Sequence, residues 1–164
     1  MDLHDMDDIR ANGFEGFVSI RELQVSVCCD VPSVAGVYMV VRPSSEAPIF
    51  LSQGTGCRKY SNPKVGDLKK KWVEGAVVLN IGKAGGPSIK ETLRKRLKKY
   101  MRFGQEKNSG HSGGRRIWQL RDSGDLLVCW KRTPGLVPRL IEKAIIADFK
   151  QQHDARRPFA NLSD

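Results

Sequence analysis

Two residues carry a charge that does not suit their position. In the run from 88 to 102, Ile89, Leu93, Leu97 and Tyr100 recur at helical spacing and make one apolar stripe. At about 100° per residue Lys90, Arg94 and Lys98 fall on the far side, but Arg96 falls beside Ile89 and Tyr100, at the stripe's edge. A guanidinium there either packs its stem while its head reaches water or serves a site, because an unpaired buried charge is costly. Further along, Ile141, Ile145, Ile146 and Phe149 form a second apolar face, and Glu142 lies within its arc. Two explanations compete for that carboxylate: a structural ion pair, or a metal ligand at the floor of a cleft. One inward cation and one inward anion, on separate helices, could belong to one site.

Other groups are read more openly. In Gly110-His111-Ser112-Gly113-Gly114-Arg115-Arg116, a Gly-Gly step can turn consecutive N–H groups toward an anion, with charge added by Arg115 and Arg116. His111 could then give a proton to a leaving oxygen or touch a phosphate; the same segment also reads as a solvated loop. Lys69-Lys70-Lys71 is either a phosphate contact or a solvated charge run. Trp118 and Trp130 read as core rather than as platforms for stacked bases. Gly54-x-Gly56 and Gly85-Gly86 lack the surroundings of dinucleotide or Walker sites, so no nucleotide cofactor is expected. Cys28, Cys29, Cys57 and Cys129 contain no Cys-x-x-Cys pair and are expected to be reduced, with Cys129 in the core.

The elements that must position these groups follow from pattern and punctuation. The chain has 164 residues, enough for one self-sufficient core, and no apolar run approaches the ~20 residues that span a bilayer. Its acidic start has no secretory character, so a cytoplasmic location is expected. Residues 1–30 hold seven acids and two bases, while the remainder holds 26 bases and 11 acids. A body that basic points to a polyanionic partner, with nucleic acid the commonest. Residues 1–16 read as a mobile acidic arm, followed by a short helix begun by Ser19-x-x-Glu22. Val34–Val41, Ala76–Gly82 and Asp125–Lys131 read as three strands of a small, mainly antiparallel α/β sheet. Between the first two lies an insertion, 42–75, rich in Pro and Gly and expected to hold little regular structure. A helix is expected from Ser88, capped by Ser88 and Glu91, and another from Pro138 to about Gln152.

On these elements a resemblance can be read. Gly36-Val37-Tyr38, Asn80-Ile81-Gly82-Lys83, Arg96-Leu97-x-x-Tyr100, Glu142 and Pro158-Phe159-Ala160-Asn161 follow in an order similar to that of the GIY-YIG nucleases. The resemblance runs from about residue 34 to 162, within a domain taken as 31–164 behind an arm and short helix over 1–30. It implies hydrolysis of phosphodiester bonds in DNA with one divalent cation, Mg²⁺ or Mn²⁺, held by Glu142. By the same resemblance Tyr38 would act as general base or orient water, helped by positive charge from Lys83. Arg96 would hold the scissile phosphate, Tyr100 would hydrogen-bond the phosphate or water, and Asn161 would orient the site. Asn80 stands where the family's second signature has a tyrosine, and a carboxamide cannot act as an acid or base. A nucleic-acid-binding module with impaired catalysis is therefore the alternative, and a domain whose acidic arm covers its own basic face is a third. Lys90, Arg94, Lys95, Lys99, Arg115 and Arg116 are the expected nucleic-acid contacts. A second copy or a targeting partner would supply choice of site; no membrane association is expected.

Overall fold

The computed structural model describes residues 1–86, 90–109 and 114–163. Its centre is a four-stranded sheet of β1 (Glu15–Ser19), β2 (Gly36–Val41), β3 (Val78–Ala84) and β4 (Leu127–Arg132), in the order β1-β4-β2-β3 with every pairing antiparallel. The sequence predicts three of these strands at nearly these places. β2 is buried along its whole length, as its unbroken Val-Tyr-Met-Val-Val run requires.

The fourth strand comes from the segment expected to be a mobile arm. Residues 1–16 are instead folded: α1 (Met6–Ala11) is capped by Asp5, and Leu3, Ile9 and Phe14 are buried. Three apolar anchors spaced among acids are enough to seat the segment, so it is part of the core and not a free arm. β1 carries a bulge that leaves Phe17 unpaired, with φ at 57°. The expected capping box of Ser19 and Glu22 is present and starts α2 (Ile20–Val25).

Two apolar clusters sandwich the sheet. On one side α4 (Leu93–Phe103) lays Leu93, Leu97, Tyr100 and Met101 against Tyr38, Val40 and Leu79. On the other, α5 (Pro138–Gln152) lays Ile145, Ile146 and Phe149 against Val37, Met39 and Ile81, with Leu3, Ile9 and Phe14 alongside. Trp118 and Trp130 are buried, and all four cysteines are free thiols with Cys129 in the core. Burial pushes the Cys129 thiol up to about 12. Among the described residues no helix is long and apolar enough to cross a membrane.

Two expectations change. Residues 90–92 are not helical; α4 begins at Leu93, with the Thr92 hydroxyl accepting from the Lys95 N–H. Thr92 caps because it directly precedes the apolar repeat, whereas the expected cap Ser88 lies outside the described residues. The insertion also holds a helix, α3 (Val65–Lys71). Phe50 and Trp72 from the insertion meet Phe159 from the tail, at 5.7 and 5.2 Å between ring centroids.

Candidate active site

β3 is an edge strand, and in an antiparallel pair alternate residues of such a strand turn their N–H and C=O outward. Ile81 is one of these. Asn161 receives it: Asn161 Oδ1 accepts the Ile81 N–H at 2.9 Å, and Nδ2 donates to the Ile81 carbonyl at 2.9 Å. The Ala160 N–H donates to the Leu79 carbonyl at 2.8 Å. The tail thus closes the edge as a short false strand.

A cavity of about 400 Å³ opens beside this edge. Tyr38, Asn80, Lys83, Arg96, Glu142 and Asn161 all line it, although they come from two strands, two helices and the tail. The sequence expects Glu142 and Asn161 to converge across their 19-residue separation, and both reach this one cavity. A bulge at Leu79 sets the orientation of β3: Val40 pairs with Asn80 and Val41 with Val78. Asn80 and Gly82 consequently share the face of Tyr38. Gly82 is opposite Tyr38 in the register, and a Cβ there would run into the phenol ring and its hydroxyl oxygen, 2.5 Å away.

Charges of both signs act on the Tyr38 phenol, that of Arg96 against those of Glu142 and Glu91. Arg96 is 31% exposed; Nη1 stands 3.7 Å from Glu91 Oε2, and its buried Nε has no hydrogen-bond partner. Tyr38 is almost fully buried, and Arg96 and Glu142 line the same cavity. Burial raises the Tyr38 pKa; the charge of Arg96 opposes the rise, and Glu142 and Glu91 add to it. Glu142 is 8% exposed and accepts from Arg139 Nη1 at 3.0 Å, one turn away.

Glu91 is the cavity residue that sequence reasoning assigned elsewhere, as half of a capping box. It lines the cavity and binds Lys99 Nζ at 2.7 Å as well as standing by Arg96. Its signal in the sequence is being the only acid among eight bases.

The remaining expected residues are distributed differently. The Tyr100 hydroxyl is buried and donates to the Gly114 carbonyl at 2.8 Å, so this side chain positions the 114 turn rather than lining the cavity. Burial holds its pKa well above the usual phenol range, with Tyr38 adding to the rise and Arg96 opposing it. Gly114, at φ 73°, leaves no room for a Cβ beside that hydroxyl. His111 lies outside the described residues. Of the expected nucleic-acid contacts, Lys90 and Lys95 are exposed, Lys90 ahead of α4 rather than on it. Arg94 Nε donates to the Val31 carbonyl at 2.7 Å, and Lys99 is paired to Glu91. Arg116 Nη1 donates to the carbonyls of Phe159 and Asn161, at 2.8 and 3.4 Å. The half-buried Arg115 has an Nε without a partner.

The carboxylates in this lining are of the donor type that a divalent cation takes. Glu142 is a hard carboxylate on a polar cavity, with Glu91 as a second one, and the volume would hold several waters beside an ion. Among the described residues there is no cluster of three or more His, Cys, Asp and Glu side chains, so protein donors alone would not enclose an ion. No family model, curated protein or solved structure matches the chain.

Proposed function

We propose that this chain is a metal-dependent endonuclease of GIY-YIG type that hydrolyses phosphodiester bonds in DNA. One observation carries the reading: five pieces of sequence, in the order that family has them, contribute Tyr38, Lys83, Arg96, Glu142 and Asn161 to the lining of one cavity. Arg96 and Glu142 are not paired with each other: Arg96 stands by Glu91, Glu142 is ion-paired with Arg139, and a cavity remains beside both.

Each side chain has a part in that chemistry. Arg96, with an unused Nε and partial exposure, binds the non-bridging oxygens of a phosphodiester and offsets charge as water adds to phosphorus. Tyr38 keeps its proton and orients the attacking water through its hydroxyl, and the water gives up its proton to solvent as it adds to phosphorus; Lys83 adds positive charge to the same cavity. The P–O ester bond then breaks, and the leaving oxygen takes a proton from solvent. Asn161 fixes the strand edge from which Asn80 and Lys83 reach the cavity. Glu142 would hold Mg²⁺ or Mn²⁺, which would supply positive charge to offset the charge that develops on the phosphodiester.

Asn80 supports a second reading. It is 4% exposed in the cavity wall and has no titratable group, so it can orient a phosphate but cannot move a proton. A nucleic-acid-binding module that no longer cuts would keep the same contacts. A plasmid-nicking assay with Mg²⁺ or EDTA, run beside a gel shift, separates the two. The endonuclease reading predicts nicking that EDTA stops and that Glu142→Gln abolishes without loss of binding. Binding with no nicking under either Mg²⁺ or Mn²⁺ selects the module; nicking unchanged by Glu142→Gln defeats the mechanism.

A further inference from the structure

Beside the cavity lies a second cleft, of about 390 Å³, and the two share Asn161 and Leu162 as a common wall. Lys70, Lys71, Arg116, Lys150, Arg156 and Arg157 line this cleft, and no carboxylate among the described residues does. They come from α3, from the turn after Gly114, from the end of α5 and from the tail, so the concentration of charge is created by the fold. The hydrogen bonds that hold two of them leave the charge in place. Arg116 donates to the carbonyls of Phe159 and Asn161, and Arg156 Nη2 donates to the Lys70 carbonyl at 2.8 Å. All three acceptors are neutral. Burial, then the charge of Arg115, lowers the Arg116 pKa.

Like charges gathered round one opening repel each other, and the arrangement becomes favourable when a polyanion enters. One inorganic phosphate cannot balance even the four cations Lys70, Lys71, Arg116 and Arg156, whereas successive phosphates of a strand can. We infer that this cleft binds backbone phosphates of the same strand whose scissile phosphate enters the neighbouring cavity, so that one polynucleotide crosses the wall formed by Asn161 and Leu162. The inference rests on the endonuclease reading for the identity of the neighbouring site. It assigns Lys70 and Lys71, which the sequence leaves between a phosphate contact and a solvated run, to substrate binding. It also gives the insertion a purpose: α3 delivers two of the six cations to the cleft. The wall itself is pinned on both sides, by Arg116 from the cleft and by Ile81 from the cavity. Filling the cleft therefore orients the strand against the part of the tail that fixes β3.

The test is Lys70→Gln with Lys71→Gln, two exposed residues on the last turn of α3, checked for fold by circular dichroism and thermal melting. Arg21→Gln with Arg58→Gln is the matched control: both are exposed, both lie outside the cleft, and the same two charges are removed. Affinity for a labelled DNA duplex is measured in EDTA by fluorescence anisotropy over a range of salt concentrations. The slope of log K against log salt should become shallower by about one to two units in the lysine variant, since each lost phosphate contact contributes about 0.9. In the control it should not change. In Mg²⁺, single-turnover cleavage should need more of the lysine variant to saturate and reach the same maximal rate. An unchanged slope, or a wild-type chain whose affinity does not depend on salt, overturns the inference. Because the slope is read without cutting, a chain that binds in this manner but never cleaves overturns the endonuclease reading and leaves the cleft standing as a phosphate-binding site.

Discussion

Replacing Asn161 by Ala tests how the edge of β3 is held. The amide meets both backbone groups of Ile81 at 2.9 Å, imitating the two bonds of a neighbouring strand. Alanine leaves one N–H and one C=O without partners beside a residue that is 2% exposed. An unsatisfied buried polar group costs about 1–3 kcal/mol, and water reaching the cavity side keeps each toward the lower end, so the pair costs about 2–3 kcal/mol. For a domain of this size that corresponds to a fall in Tm of about 4–12 °C. Urea denaturation followed by circular dichroism measures the loss directly. Leu162→Ala is the comparison, since Leu162 is 43% exposed and its removal should change stability by no more than about 0.5 kcal/mol. Nicking by Asn161→Ala should fall even at temperatures where the variant is fully folded, because Asn80, Gly82 and Lys83 reach the cavity from the strand it fixes. Stability within about 0.5 kcal/mol of wild type would refute the reasoning that this amide replaces a strand.

Gly82→Ala should destabilise by about 1–3 kcal/mol and remove nicking, because the new methyl pushes the buried phenol of Tyr38 out of its place against β3. Wild-type nicking by that variant would show that Tyr38 can move without consequence. Tyr38 and Tyr100 both have pKa values raised by burial, so above pH 10 the unfolded chain loses phenol protons that the folded chain keeps. Stability is therefore unaffected by these groups below pH 10 and should fall as pH rises above it. Urea midpoints measured from pH 8 to 11 should show that fall, and Tyr100→Phe should reduce its slope; an equally steep fall in Tyr100→Phe counts against the assignment.

What the sequence discloses follows from how locally each feature is determined. β2, β3 and β4 are legible because short apolar runs rich in β-branched or aromatic residues are bounded by Pro and Gly, and α5 because Pro138 stands at its first turn. Glu142 is legible as a carboxylate in an apolar arc, which makes it anomalous before any partner is known. The start of α4 is not: Ser88-x-x-Glu91 and Thr92-x-x-Lys95 both carry a hydroxyl ahead of the same repeat, and only the packing of Leu93 under β2 decides between them. α1 and β1 stay hidden because acids surround Leu3, Ile9 and Phe14, whose burial depends on α5, more than a hundred residues away. The fates of Arg94 and Arg116 are non-local in the same way. A guanidinium spacing looks alike whether it meets a phosphate or a main-chain carbonyl, and here both meet carbonyls.

The reading of the cavity comes down to whether Arg96 and Glu142 act together on one phosphodiester. Single-turnover cleavage of an end-labelled duplex, at saturating protein, should be measured for wild type, Arg96→Ala, Glu142→Gln and the double variant. Each single change should slow cleavage by about 10²–10³, and the double variant should be no slower than the worse single one, since the groups serve one step. Losses that multiply in the double variant, or a single variant that cuts at the wild-type rate, would contradict a shared reaction centre.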